Sequence, residues 1–171
     1  MKAVRISSKD LLRRFGVKKT KLDYGPSYPS DELTITIPLP PRQVRPNFHG
    51  HWALRARAVK LLRELSAALI RLKLRGRRED GTFFQYACPM WEKASVSIVW
   101  MTKTTKAMKG PPIDPDNALA SMKAVFDGAQ EAGLIRNDRN LWPERPVIDM
   151  SVAGKSKAGV VVTFRREEPT T

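Results

Sequence analysis

The sequence predicts a single α+β domain in which two main helices pack on a mixed or mostly antiparallel sheet. Two short stretches alternate apolar and polar residues with the period of a strand, two further short runs near the end read as strands, and two longer stretches repeat apolar residues at helical spacing. They do not follow the regular strand-helix-strand order that builds a parallel sheet. With 171 residues and 42% hydrophobic content, the chain can close one core.

The elements follow in chain order. Residues 1–31 hold eight Lys and Arg against three Asp, a net +5, and form a basic arm and linker ahead of a domain over 32–166. Within the arm, 8–16 predicts a short helix capped by Ser7 or Ser8 and stopped by Gly16, and 25–30 reads as a linker. The arm is either a phosphate-contacting segment or a solvated tail. Leu33-Thr34-Ile35-Thr36-Ile37 alternates as a half-buried strand and stops at Pro38. A helix is predicted from His51 to Arg75, with Leu54, Ala58, Leu61, Leu62, Leu65, Leu69 and Leu72 on its apolar side. Arg57, Lys60, Arg63 and Arg71 lie opposite or flanking, a cationic outer face suited either to water or to nucleic acid.

Residues 75–81 read as a charged turn, and 95–100 as a second strand. Lys103, Lys106 and Lys109 then form a basic loop that closes at Gly110-Pro111-Pro112 and delivers the chain to Asp114. A second helix is predicted from Asp116 to Ala132, ended by Gly133 and followed by a turn at 136–140. Two last strands, 147–152 and 159–164, are joined by a turn at 154–157, and the chain is expected to fray from Arg165 to Thr171, with the domain bound at 166 and 167–171 as a tail.

A formal charge of +14 attracts polyanions, so nucleic acid is the first partner class. No run reaches the ~18 apolar residues of a membrane span, and the first residues lack the apolar stretch of a secretory signal, which predicts a cytoplasmic protein. Cys88 is the single cysteine and is expected to be a buried small hydrophobe; with only His49 and His51 beside it, a structural zinc is excluded. There is no Gly-x-Ser-x-Gly elbow, Gly-rich phosphate loop or Cys/His dyad, and no signature of a small-molecule cofactor.

The chemistry-bearing residues gather between 114 and 138. Asp114-Pro115-Asp116-Asn117 has an ordinary reading as a helix start, with Asp as N-cap, Pro at the first position and an acid in the first turn. On one continuous helix, however, Asp116, Lys123 and Asp127 fall within ~20° of a common line. Leu119, Met122, Val125, Phe126 and Ala129 centre roughly 120° away, so the charged line runs along the rim of the buried face. These residues suit metal-assisted phosphodiester hydrolysis. Asp114 and Asp116 would hold Mg²⁺, or Mn²⁺, which generates a hydroxide from a bound water. Lys123 would face the transferring phosphoryl group, Asp138 would return as a further ligand, and Asn117 and Asp127 would support them. Lys123 also suits an intrahelical ion pair, and Asn137-Asp138 a plain turn.

These residues resemble the RusA family of Holliday-junction resolvases, including its phage and prophage members. The resemblance rests on Asp114-Pro115-Asp116-Asn117, Lys123, Asp127-Gly128, Ala132-Gly133-Leu134-Ile135 and Asn137-Asp138. It extends to Ile35-Thr36-Ile37-Pro38, the proline-rich loop, and Pro46-Asn47 before a basic helix, and so covers most of 33–165. It implies a homodimeric Mg²⁺-dependent endonuclease that binds four-way DNA junctions and nicks them in symmetric pairs, with Asp114, Asp116 and Asp138 as metal carboxylates and Lys123 as catalytic lysine. Two departures stand out. Lys123 sits about one helical turn, ~5 Å, farther from the acidic pair than is typical, and Asn137 replaces an aspartate that many members carry.

Overall fold

The computed structural model describes residues 24–102, 113–150 and 158–168. The basic-arm helix at 8–16, Lys103, Lys106 and Lys109, and the turn at 154–157 lie outside the described residues.

The main sheet is built round a central pair. Strand β5 (Ala94–Met101) runs antiparallel to β8 (Gly159–Arg166) along its whole length, from Ala94 opposite Arg166 to Met101 opposite Gly159. On the far side of β8 lies β2 (Glu32–Ile37), also antiparallel, with Leu33 opposite Phe164 and Ile37 opposite Val160. The free edge of β5 takes two short parallel strands in succession, β6 (Leu141–Pro143) and β7 (Val147–Asp149). This is the mixed, mostly antiparallel sheet of the predicted α+β class. Strict alternation explains why it packs: Leu33, Ile35 and Ile37 of β2, Val96, Ile98 and Trp100 of β5, and Val160, Val162 and Phe164 of β8 all point to one buried face. Thr34 and Thr163 pair across the other face through their hydroxyls at 2.9 Å.

Three helices cover the buried face among the described residues. Helix α1 (Trp52–Lys73) is the long basic helix, α2 (Pro115–Ser121) is short, and α3 (Lys123–Glu131) crosses α1. Two predictions about them are corrected. First, α1 buries only part of the predicted apolar side. Leu62 enters the core together with Ser66, Ala67 and Ile70, and Ala58 and Leu69 pack against it, while Leu54, Leu61, Leu65 and Leu72 are exposed. Close packing accounts for the small residues among them: a Cβ on Gly128 of α3 would lie 2.7 Å from the Arg63 carbonyl oxygen and 2.9 Å from Ser66 Cβ, so at that contact α1 presents Ser66 and Ala67. Ser66 is accommodated there because its hydroxyl donates to the Leu62 carbonyl at 2.7 Å.

Second, the predicted 116–132 helix is two segments that meet at Met122. Ser121 donates its hydroxyl to the Asn117 carbonyl at 2.7 Å, competing with the regular ladder. Fully buried Met122 then turns with a three-residue hydrogen bond to Leu119 O.

A small second sheet was not foreseen. β1 (Tyr24–Ser27) and β3 (Arg75–Arg77) flank β4 (Phe83–Ala87), β1 parallel and β3 antiparallel to it. Part of the expected linker is thus β1, the start of the expected charged turn is β3, and only 78–81 forms the turn, with Gly81 at φ +84°. Arg165 and Arg166 belong to β8 rather than to a fraying end. Cys88 is half-buried, its Sγ donating to Ala132 O at 3.6 Å.

Candidate functional site

The end of α3 is what returns Asp138 to its start. Gly133 adopts φ +76°, its N–H bonds Gln130 O at 3.0 Å, and the Leu134 N–H bonds Ala129 O at 3.0 Å, the paired bonds of a glycine helix stop. The chain then runs beside Trp91, with the Trp91 N–H donating to Leu134 O at 2.9 Å and the Arg136 N–H to Trp91 O at 3.1 Å. Asn137 caps a 3-10 turn over Asp138–Asn140 by accepting the Arg139 N–H at 3.0 Å. β6 begins immediately afterwards, so Asp138 is fixed between a helix stop and a sheet strand.

Lys123, the first residue of α3, meets it there. Its ammonium donates to Asp127 Oδ1 at 2.7 Å, one turn along the helix, and to Asp138 Oδ2 in a close ion pair. The hydrogen bonds it donates to Asp127 and then Asp138 hold the ammonium above its ordinary pKa, and the bond from Lys123 holds the Asp138 carboxyl below its own. The lysine is therefore a fixed positive charge with 64% of its side chain open to solvent.

Asp114 caps α2. Its Oδ1 accepts the Asn117 N–H at 2.8 Å, and its Oδ2 accepts the Asn117 side-chain amide. The Asn117 backbone donor is the main cause of its lowered pKa. Asp116 is exposed in the first turn of the same helix. The break at Met122 removes the continuous helical line expected to join Asp116 to Lys123, whereas the Lys123–Asp127 pair keeps its one-turn spacing.

The structure thus brings Asp138 to Lys123 and Asp127. Among the described residues, no three acidic, histidine or cysteine side chains gather closely enough to hold a metal ion. The donor types of Asp114 and Asp116 still fit Mg²⁺, which takes oxygen ligands and commonly uses only one or two protein carboxylates beside water and substrate phosphate.

The cationic face of α1 divides. Arg63 and Arg71 reach Glu131 of α3 at 3.3 and 3.7 Å and so tie the two helices together. Lys60 faces Glu64 at 3.8 Å, while Arg57 lines a groove beside the helix. A second basic surface, which the sequence reading missed, lies on the small sheet. Arg75 and Arg77 lie 5.9 and 5.8 Å from the centre of the exposed Phe83 ring, and Arg78 lies 5.5 Å from that of Phe84. Its signal was present as Arg75-Gly76-Arg77-Arg78 followed by Phe83-Phe84, basic residues interleaved with aromatics on two paired strands. No helix among the described residues is long and apolar enough to cross a membrane. Compared with protein-family models and with curated proteins, the chain matches none of them.

Proposed function

We propose that the chain is a Mg²⁺-dependent, structure-selective endonuclease that acts on branched DNA, of the kind the RusA resemblance implies, working as a homodimer in the cytoplasm and nicking four-way junctions in pairs. The observation that carries the reading is the contact between Lys123 and Asp138, two residues of the motif set 15 positions apart in sequence. Asp114 and Asp116 would hold Mg²⁺ or Mn²⁺, and the bound ion supplies a polarised phosphoryl oxygen and an activated water. Asp138 spends Oδ2 on Lys123, and a carboxylate's second oxygen leaves capacity for a further ligand. Lys123 keeps its proton in this setting, so it acts as a positive charge beside a phosphate rather than as a base. Asp127 orients it from the next turn. The Arg75-Arg77-Phe83 surface, together with Lys103, Lys106 and Lys109, would supply phosphate contacts.

A second reading is a nucleic-acid-binding protein without catalysis, and the lack of a three-ligand cluster among the described residues favours it. Labelled four-way junction and linear duplex, incubated with and without Mg²⁺, separate the two. The nuclease gives metal-dependent nicks in the junction that Asp116→Asn abolishes while the band shift persists. Salt-sensitive shifts without products would establish the binder, and wild-type nicking by Asp116→Asn would remove the acidic pair from the mechanism.

A further inference from the structure

We propose that the Phe83 face of the small sheet is a stacking platform for an unpaired base, in a single strand or at a branch point, with Arg75 and Arg77 holding the flanking phosphates. The inference rests on the nucleic-acid partner of the proposed function and not on its catalysis. A single exposed aromatic residue is ordinary on a protein surface. The company of this one is not. In the β3–β4 pair Arg77 stands opposite Phe83, Gly76 opposite Phe84 and Arg75 opposite Gln85. Opposed residues share a face and successive residues alternate, so Arg75, Arg77 and Phe83 stand on one face and Gly76 and Phe84 on the other.

The second face supplies the cohesion of the small sheet. A Cβ on Gly25 or on Gly76 would come within 2.2 Å of the Phe84 ring, so that ring lies across both neighbouring strands. Tyr86 meets Phe84 edge-on at 4.9 Å, and Tyr28, which packs against the core, meets Tyr86 at 5.6 Å. Phe83 takes no part in that stack and is 64% exposed.

The chemistry of the Phe83 face selects its ligand. The Arg75 and Arg77 guanidinium groups flank the ring at 5.9 and 5.8 Å from its centre, near the ~6 Å outer reach of a cation–π contact. Arg77 Nε also donates to Gly81 O at 3.4 Å. Of the two carboxylates in the turn, Asp80 is committed to Thr82, its Oδ1 accepting the backbone N–H at 2.8 Å and the hydroxyl at 2.6 Å, and Glu79 is exposed. The two arginines are ~6.6 Å apart along the strand, and each matches a phosphate through two parallel donors. A phenyl ring has no hydrogen-bonding group and adds nothing to phosphate recognition. What it offers is a flat apolar face for another ring. In a duplex each base is covered above and below by its neighbours, whereas an unpaired base has a face to give.

Fluorescence anisotropy of the full chain with labelled oligo(dT) and with labelled linear duplex, in EDTA so that no strand is cut, tests the platform. Phe83→Leu keeps an apolar side chain on the strand and removes the ring. It is expected to weaken oligo(dT) binding about 5- to 150-fold. Duplex affinity and the salt slope for oligo(dT) should stay unchanged, because no phosphate contact is lost. Phe83→Tyr should restore the affinity. An oligonucleotide of abasic sites, with the same phosphates and no bases, should bind the wild type as weakly as oligo(dT) binds the leucine variant. Unchanged oligo(dT) binding in Phe83→Leu, or abasic binding as tight as oligo(dT), would overturn the proposal. So would equal losses on oligo(dT) and duplex, which would place the two-stranded ribbon in a duplex groove, and so would displacement of oligo(dT) by polyglutamate at matched charge. If Phe83→Leu does not fold, the abasic comparison on the wild-type chain decides. Absent nicking in Mg²⁺ with the oligo(dT) results intact would remove the nuclease reading and leave the platform standing.

Discussion

Lys123 shows how a residue's role depends on what two other elements bring to it. Alone at the start of α3 it would make an exposed one-turn pair with Asp127, worth ~0.3–0.5 kcal/mol. Asp138 arrives from the turn after the helix and makes the ammonium a shared, fixed charge. The Asp138 carboxyl has its pKa lowered in the folded chain by the Lys123 hydrogen bond, so its contribution is present above the ordinary aspartate value of 3.8 and is lost as pH falls through the depressed value. Lys123 has its pKa raised, so its contribution is present below 10.5 and is lost as pH rises through the elevated value. Urea unfolding of wild type and Asp138→Asn across pH should therefore show a gap that is constant near neutrality and closes in acid below 3.8. A gap that persists undiminished at pH 2 would mean that the carboxylate charge is not what Asp138 contributes. For activity, Lys123→Ala should lose at least ~100-fold in nicking, with Lys123→Arg restoring part of it. Equal loss in both variants with normal junction binding would show that geometry, rather than charge alone, is required.

At the level of elements, the sequence was informative wherever a local rule acts alone. Period-two alternation located β2 and β5, the Asp114-Pro115 pair located the start of α2, and Gly133 located the stop of α3. It was uninformative where tertiary packing chose between two acceptable answers. Helical periodicity favours the side 54-58-61-62-65-69-72 of α1, but only Leu62 of it is buried, with Ala58 and Leu69 at the core's edge; the core turns instead toward Ser66 and Ala67, where α3 approaches through Gly128. The break at Met122 depends on one Ser121 hydroxyl, too local a signal for an averaged period. The short strands β3, β4 and β6 exist because a neighbour offers an edge, which no period within them announces. Gly128 tests the packing account directly. Alanine there gains up to ~1 kcal/mol of helix propensity, but its Cβ would press on the Arg63 carbonyl at 2.7 Å, and separating two packed helices costs ~1–3 kcal/mol. Gly128→Ala is expected to lower Tm by several degrees in a thermal melt; a rise in Tm would show that α1 and α3 are not in such close contact.

Across the whole molecule, the charges sort into those used internally and those left for a partner. Glu32, Glu64, Glu92, Asp127, Glu131 and Asp138 each face a cation within the fold, as Asp31 does with Arg166, so many carboxylates are already committed to holding elements together. The surplus behind the +14 charge lies with cations such as Arg57, Arg75 and Arg77, which make no ion pair among the described residues. Arg75 and Arg77 are displayed on a strand and braced against one exposed aromatic ring, an arrangement that holds two guanidinium groups outward at low conformational cost. If they meet a nucleic-acid backbone, each releases about 0.9 of a counterion, and log K falls with log salt in proportion to the number of phosphates neutralised. Replacing both by glutamine should weaken binding to junction and duplex alike and reduce the magnitude of the salt slope by ~1.8, since phosphate contacts carry no sequence or branch information. Fluorescence anisotropy over a salt series measures this. An unchanged slope would place the nucleic acid elsewhere, with Arg57 and its neighbours on α1 as the next surface to test.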